Sequence, residues 1–140
     1  MERQVIVFFD ASALIYLIEG AEPFGTSVRG ALAQAASKYP NLSAAVSRLS
    51  WLECRVRPMR DNNHAVLAQF DVFFNRPDLV WVELNQAVIE LATVIRVRHA
   101  LRTPDALQAA SCLQLGAEHI FFTGDAGFQR VAGLNVRLLP

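Results

Sequence analysis

Four carboxylates stand out by position: Asp10, Glu53, Asp105 and Asp125. Asp10 closes the apolar run Val5-Ile6-Val7-Phe8-Phe9, and Asp125 follows Phe121-Phe122-Thr123-Gly124. Glu53 lies in a helical pattern after Leu42–Val46, and Asp105 lies in a first turn opened by Thr103-Pro104. Acids brought to one place repel. Withdrawing several from water without a partner raises their pKa values or costs several kcal/mol. A hard divalent cation resolves that conflict. Mg2+ and Mn2+ take oxygen ligands, keep some waters, and are held by a few carboxylates plus substrate phosphate. Such a centre can generate hydroxide from a bound water and orient it in line with a phosphodiester. Ser12 and Thr123 each lie two residues from one of these acids, where a hydroxyl can bind a ligand water or a phosphate.

Each acid also has a purely local use. Asp10 can form a turn, Asp125 can cap a helix, Asp105 can complement its helix dipole, and Glu53 can pair with Arg57 at i+4. These local uses do not explain why all four map to one rim. The elements around them supply that rim. Val5–Phe9, apolar at every position, suits a strand buried on both faces of a parallel sheet. Further strands are predicted at Leu42–Val46, Leu79–Leu84, Glu118–Phe122 and Asn135–Leu139. Helices are predicted from Ser12 to about Glu19, from Phe24 to Lys38, and after a Ser47 cap with Leu49, Leu52, Val56 and Met59 at helical spacing. A fourth starts at Asp61 or Asn62, and a fifth runs from an Asn85 cap to His99. The sixth opens on Thr103-Pro104-Asp105, a capping hydroxyl, a first-position Pro and an acid, and ends at Gly116. A short helix covers Asp125 to about Ala132. Strands alternating with helices give an α/β chain with a parallel sheet. In such sheets ligands bind outside the carboxyl ends of the strands, where Asp10, Glu53 and Asp125 converge. Asp105 joins them because the helix leading into the fourth strand starts at that end.

The 140 residues form one compact domain, 1–140, without repeats, linkers or low-complexity tracts. The 53% hydrophobic content implies a sheet covered on both faces, or apolar surface that meets a partner. No run approaches membrane-helix length and no signal peptide is expected. Cys54 and Cys112, far apart and each in a helical pattern, read as buried reduced thiols of a cytoplasmic protein. Net charge is zero, yet setting the four acids aside leaves 13 basic residues against nine acidic ones. A mildly positive body around an acidic pocket suits an enzyme that takes a polyanion.

At these same residues the chain resembles the PIN-domain nucleases, and within them the VapC-type toxins of bacterial toxin–antitoxin pairs. Phe9-Asp10-Ala11-Ser12, Ser50-Trp51-Leu52-Glu53, Arg102-Thr103-Pro104-Asp105-Ala106-Leu107-Gln108-Ala109-Ala110 and Phe122-Thr123-Gly124-Asp125-Ala126-Gly127-Phe128 are similar to the family's four motifs in order and spacing. The third match is the most specific. The departures are mild: Ala11-Ser12 for a commoner Thr-Asn pair, and Gln108 in a variable slot. The resemblance implies a PIN-like three-layer sandwich, about five parallel strands with helices on both faces. It implies Mg2+- or Mn2+-dependent cleavage of RNA by activated water, and a cognate antitoxin. By position, Asp10, Glu53, Asp105 and Asp125 carry metal and water activation, supported by Ser12 and Thr123. Arg102 is the leading candidate for a phosphate contact. The antitoxin is expected in a groove near the third and fourth helices, where Trp51, Phe70, Phe73 and Phe74 lie, and other helices make a homodimer.

Arg48, Arg55, Arg57 and Arg60, concentrated on the third helix, can touch RNA phosphates or form a solvated face. The fifth helix, apolar on more than one face, either serves the dimer or is buried under the sheet. His64, His99 and His119 have no metal-like spacing and read as structural or exposed. A receiver domain fits poorly, since Asn85 follows the third strand and Lys38 is the only Lys. An Asp-x-Asp phosphatase needs an acid where Ser12 stands. The remaining rivals are a non-catalytic PIN-like scaffold that binds RNA or protein, and a housekeeping RNA-processing PIN nuclease without an antitoxin.

Overall fold

The computed structural model describes residues 4–140. The Glu2–Arg3 lead-in to the first strand, on which part of the signal-peptide expectation rests, lies outside the described residues. Five strands form one sheet in the order β3-β2-β1-β4-β5: β1 Gln4–Phe9, β2 Asn41–Ser47, β3 Val80–Val82, β4 His119–Thr123 and β5 Val136–Leu138. Every pairing is parallel, with β1 between β2 and β4. The helices are α1 Ala11–Glu19, α2 Phe24–Lys38, α3 Arg48–Arg60, α4 His64–Phe74, α5 Gln86–His99 and α6 Thr103–Gln114, followed by a 3-10 turn at Ala126–Arg130.

The apolar run of β1 explains the layering. Successive side chains point to opposite faces of a strand. Ile6 and Phe8 join Val88, Ala92, Ile95 and Ala109 of α5 and α6 in one core. Val7 and Phe9 join Leu14, Val28, Cys54 and Phe70 from α1 to α4 in the other. The result is the expected three-layer α/β sandwich. Phe8 and Phe9, both fully buried, each contribute roughly 2 kcal/mol of apolar burial. Ring contacts extend them across the sheet: Phe8 stacks on Phe121 at 5.5 Å, and Phe9 meets Phe122 edge-on at 5.5 Å.

The chain passes from β1 to β2 and β3 on one side, then returns through α5 and α6 to β4 on the other. This reversal makes a crevice beside the carboxyl ends of β1 and β4, the place where open α/β sheets bind ligands.

Several local expectations change. Thr103 is not a cap: Arg102 occupies the cap position of α6 without a side-chain cap bond, and the Thr103 hydroxyl instead accepts from Arg96 at 3.0 Å. Helix α4 starts later than expected, because Asn62 turns left-handed at φ 53° and Asn63 caps the helix by accepting from the Val66 N–H. Strand β3 shortens to three residues at the sheet edge.

On α3 the evenly spaced apolar residues do not form the buried side. Leu52, Val56 and Met59 are exposed, Leu49 is half-buried, and the face against the core is Ser50, Cys54 and Pro58. Trp51, grouped with the aromatic core in the sequence, is also exposed. Helix α5 is buried on one face and exposed on another. Val88, Ala92 and Ile95 are buried under the sheet, while Ile89, Val94 and Val97 face solvent.

Candidate active site at the carboxyl rim of the sheet

Asp10 is the last residue before α1 and only 4% exposed. Its local use is real: the carboxylate caps α1 by accepting from the Ala13 N–H at 2.8 Å. Two hydroxyls complete its shell. Ser12 Oγ donates to Asp10 Oδ1 at 2.7 Å, and Thr123 Oγ1 donates to Asp10 Oδ2. Both hydroxyls also accept from the β4 turn, Ser12 from the Gly124 N–H at 3.0 Å and Thr123 from the Asp125 N–H at 3.0 Å. Ser12 and Thr123 therefore lock the end of β1 to the end of β4. Their donor protons are already committed to Asp10, so their first task is to orient it.

The partners of Asp10 are neutral donors, and no cation stands among them. Burial pushes its pKa up to about 6, against the lowering effect of the three hydrogen bonds, and the Asp105 charge pushes the same way. Glu53 is raised by partial burial and by Asp105, with Gln108 opposing. Asp105 is raised by its own partial burial, opposed by Arg102, and by the Asp125 charge. Asp105 is thus the hub, coupled to each of the other three acids. Its position at the start of α6 follows from Pro104 in the first turn, which cannot supply an N–H deeper in a helix.

Asp125 is exposed and caps the 3-10 turn, accepting from the Gly127 N–H at 2.8 Å. Glu53 does not pair with Arg57; that Arg leans on Asp61 at 4.0 Å. Arg102 reaches Asp105 at 3.6 Å, and its side chain is 83% exposed. Arg48 and Arg55 are less available than the sequence implied. Arg48 is held by Glu83 at 2.7 Å and stacked on Trp81 and Trp51, and Arg55 pairs with Asp71 at 3.2 Å. His119 is structural, its Nε2 accepting from the Asn135 N–H at 3.1 Å, so its Nδ1 donates to Ala117 O.

The donor set at this rim is all oxygen, as hard divalent cations require. Among the described residues, no three His, Cys, Asp or Glu side chains close into a cluster that could hold a metal by themselves. An ion that keeps several waters and takes only one or two carboxylates directly does not require such a cluster. The spacing does not fit a structural zinc centre. Cys54 beside the rim is no ligand, because burial and the charges of Glu53, Asp10 and Glu19 push its thiol well above the usual range.

Two contributors escaped the sequence. Gly124 packs under Tyr16, and a Cβ there would lie 2.7 Å from the ring. The close approach lets the β4 turn reach Ser12. Gln108, 2% exposed, donates from Nε2 to Glu53 Oε1 at 3.0 Å and to Ser50 Oγ at 2.9 Å. Its spacing of three from Asp105 was the available signal.

The all-parallel sheet with an acidic rim at its switch point is an α/β fold that solved structures share. The similar chains include VapBC2 from Rickettsia felis bound to a DNA fragment from its promoter (16% identity, 96% of this chain and 99% of that one, TM-score 0.76). Another is VapC20 of Mycobacterium tuberculosis, a sarcin-ricin loop cleaving toxin (20% identity, 96% and 99%, TM-score 0.74). A third is FitAcB from Neisseria gonorrhoeae (15% identity, 94% and 95%, TM-score 0.64). No curated protein matches the sequence. The chain belongs to the PIN domain family, whose model matches residues 7–134.

Proposed function

We propose that this protein is a metal-dependent endoribonuclease and the toxin of a type II toxin–antitoxin pair. One observation carries the reading: a buried carboxylate at the end of the central strand, held by neutral donors and facing another acid instead of a cation. Asp10, Glu53, Asp105 and Asp125 would hold Mg2+ or Mn2+, directly or through its waters. Bound there, the ion supplies water activation and charge stabilisation at an RNA phosphodiester. Ser12 and Thr123 fix both oxygens of Asp10, so that the carboxylate is oriented before substrate arrives. Arg102, exposed at the mouth, meets a phosphate of the RNA strand.

The neighbours' names support the partner part. VapBC2 and a Klebsiella pneumoniae structure with 20% identity and TM-score 0.60 are toxin–antitoxin assemblies. For this chain the antitoxin site is the groove of about 480 Å3 on the outer face of α3, lined by Trp51, Leu52, Val56, Met59 and Leu84. An amphipathic segment laid in such a groove buries apolar surface that is otherwise wet. The outer face of α5 serves a homodimer. No helix among the described residues is long and apolar enough to cross a membrane, and the protein acts in the cytoplasm on this reading.

The test is incubation of the purified protein with single-stranded and structured RNAs in Mg2+ or Mn2+, with EDTA and Asp105→Asn controls. Cleavage by the wild type alone, abolished by EDTA, supports the reading. Equal cleavage by Asp105→Asn contradicts it, and RNA or partner binding without any cleavage turns it toward a scaffold.

A further inference from the structure

We propose that Gln108 is the positioning residue for Glu53, holding that carboxylate toward the metal-binding rim; the proposal rests on the reading of the rim given above. Glu53 sits on α3 and Gln108 on α6, and the hydrogen bond between them is the only one that Glu53 makes among the described residues. Without it, a Glu side chain with three free torsions would have to give up rotamer entropy to stay in one place. The Asp105 charge repels it and the Arg102 charge attracts it, so neither fixes its position alone.

The orientation of the Gln108 amide follows from its partner. An ionised carboxylate only accepts, so the NH2 group must face Glu53. This arrangement leaves Gln108 Oε1 buried with no hydrogen-bond partner. Such an orphan acceptor typically costs about 1–3 kcal/mol. An apolar side chain of equal size would avoid that orphan but would leave Ser50 Oγ and Glu53 Oε1 without the donor they share. A buried amide that leaves its own oxygen unpaired while supplying two donors to α3 marks a position shaped by the site it faces.

The two helices show how the contact is built. Ser50 and Glu53 are three apart on α3, and Asp105 and Gln108 are three apart on α6, so each pair lies on one helical face. Gln108 ties both residues of the α3 pair at once. One turn further on, Ser111 continues the polar row to Ser47 of β2 at 3.0 Å. The row ends on Glu53 and Asp105, two of the four acids.

The experiment compares wild type, Glu53→Gln, Gln108→Leu and the double variant by Mn2+ titration, followed by electron paramagnetic resonance, and by thermal unfolding without metal. Gln108→Leu is expected to weaken Mn2+ binding about ten-fold, as lost outer-shell partners of metal ligands do. Its unfolding temperature should stay within a few degrees of wild type, because the loss of the orphan acceptor is offset by the loss of the donor to Ser50 and Glu53. In the Glu53→Gln background, Gln108→Leu should add no further loss. Gln108→Met provides a second apolar variant should the Leu branch not pack. A lowered unfolding temperature with unchanged Mn2+ affinity in both apolar variants would make Gln108 a structural tie and overturn the proposal. An equal loss in the Glu53→Gln background would also overturn it. Unchanged Mn2+ binding by Glu53→Gln itself would remove Glu53 from the metal site, and the proposal with it.

Discussion

The carboxyl end of β1 and the outer face of α3 depart from ordinary packing in opposite senses. At β1 a carboxylate is buried without a cation. On α3, Leu52, Val56 and Met59 lie in water, with Leu52 61% exposed, while the side turned to the core is Ser50, Cys54 and Pro58. Buried charge costs free energy through lost hydration, and exposed apolar surface costs it through water that cannot be released. On the proposed reading each region is completed from outside the chain: the first by positive charge, the second by an apolar cover. The difference lies in how firmly each is built. Asp10 is fixed by three hydrogen bonds from two elements, whereas the α3 stripe is a simple outward face beside a shallow groove.

Substitutions at the two regions should separate accordingly. The largest effect is expected for Asp10→Ala, which removes the central acid. RNA cleavage measured in excess Mn2+ should fall by roughly three orders of magnitude or more, as loss of a principal charge-stabilising group does. Val56→Asp on α3 is expected to leave cleavage within two-fold of wild type and to weaken capture of the co-expressed antitoxin about 100-fold. A charge in the centre of an apolar contact typically removes that much binding. Retained capture by Val56→Asp would place the partner on another face. Thr123→Val keeps the shape but leaves Asp10 Oδ2 without its donor. Cleavage should fall about ten-fold with the fold intact, and a variant as active as wild type would mean that Ser12 and Ala13 suffice to orient Asp10.

The last expected effect is on stability against pH. The folded pKa of Asp10 is about 6, above the ordinary 3.8, so the folded state holds the proton more tightly than the unfolded one. This contribution is fully present below pH 4 and is lost as pH rises toward and through 6. The stability difference between wild type and Asp10→Asn without metal should therefore shift against the wild type across that window, by up to about 3 kcal/mol. A flat difference would mean that Asp10 is hydrated more than its burial indicates.

The contrast between the regions also explains what the sequence could tell. The position of Asp10 was legible because a five-residue apolar run, too short for a helix and rich in β-branched and aromatic residues, reads as a strand buried on both faces, and its end is then a fixed place in the fold. Asp105 was legible because Pro104 sets the helix start beside it. The periodicity of helix α3 was legible, but which way its apolar stripe faces is not encoded in periodicity. Ser50 and Cys54 are small enough to pack against the core, and the apolar stripe 49–52–56–59 is left for the outside. Gln108 meets Glu53 across 55 positions of sequence, so only the packing of α6 on α3 could reveal the pair. Arg48 looked like a phosphate contact until β3 placed Trp81 under it and Glu83 beside it.

The central claim is that the strain at Asp10 exists to receive a divalent cation. The most direct measurement is the thermal unfolding of wild type and Asp10→Asn at pH 7, each with and without Mn2+. Without metal, Asp10→Asn should unfold at a higher temperature than wild type, because the buried charge is gone. With Mn2+, the wild type should gain several degrees and Asp10→Asn should gain little, since an ion that binds only the folded state stabilises it in proportion to its occupancy. Equal gains for both proteins, or none for the wild type, would contradict the assignment of this rim as a metal site.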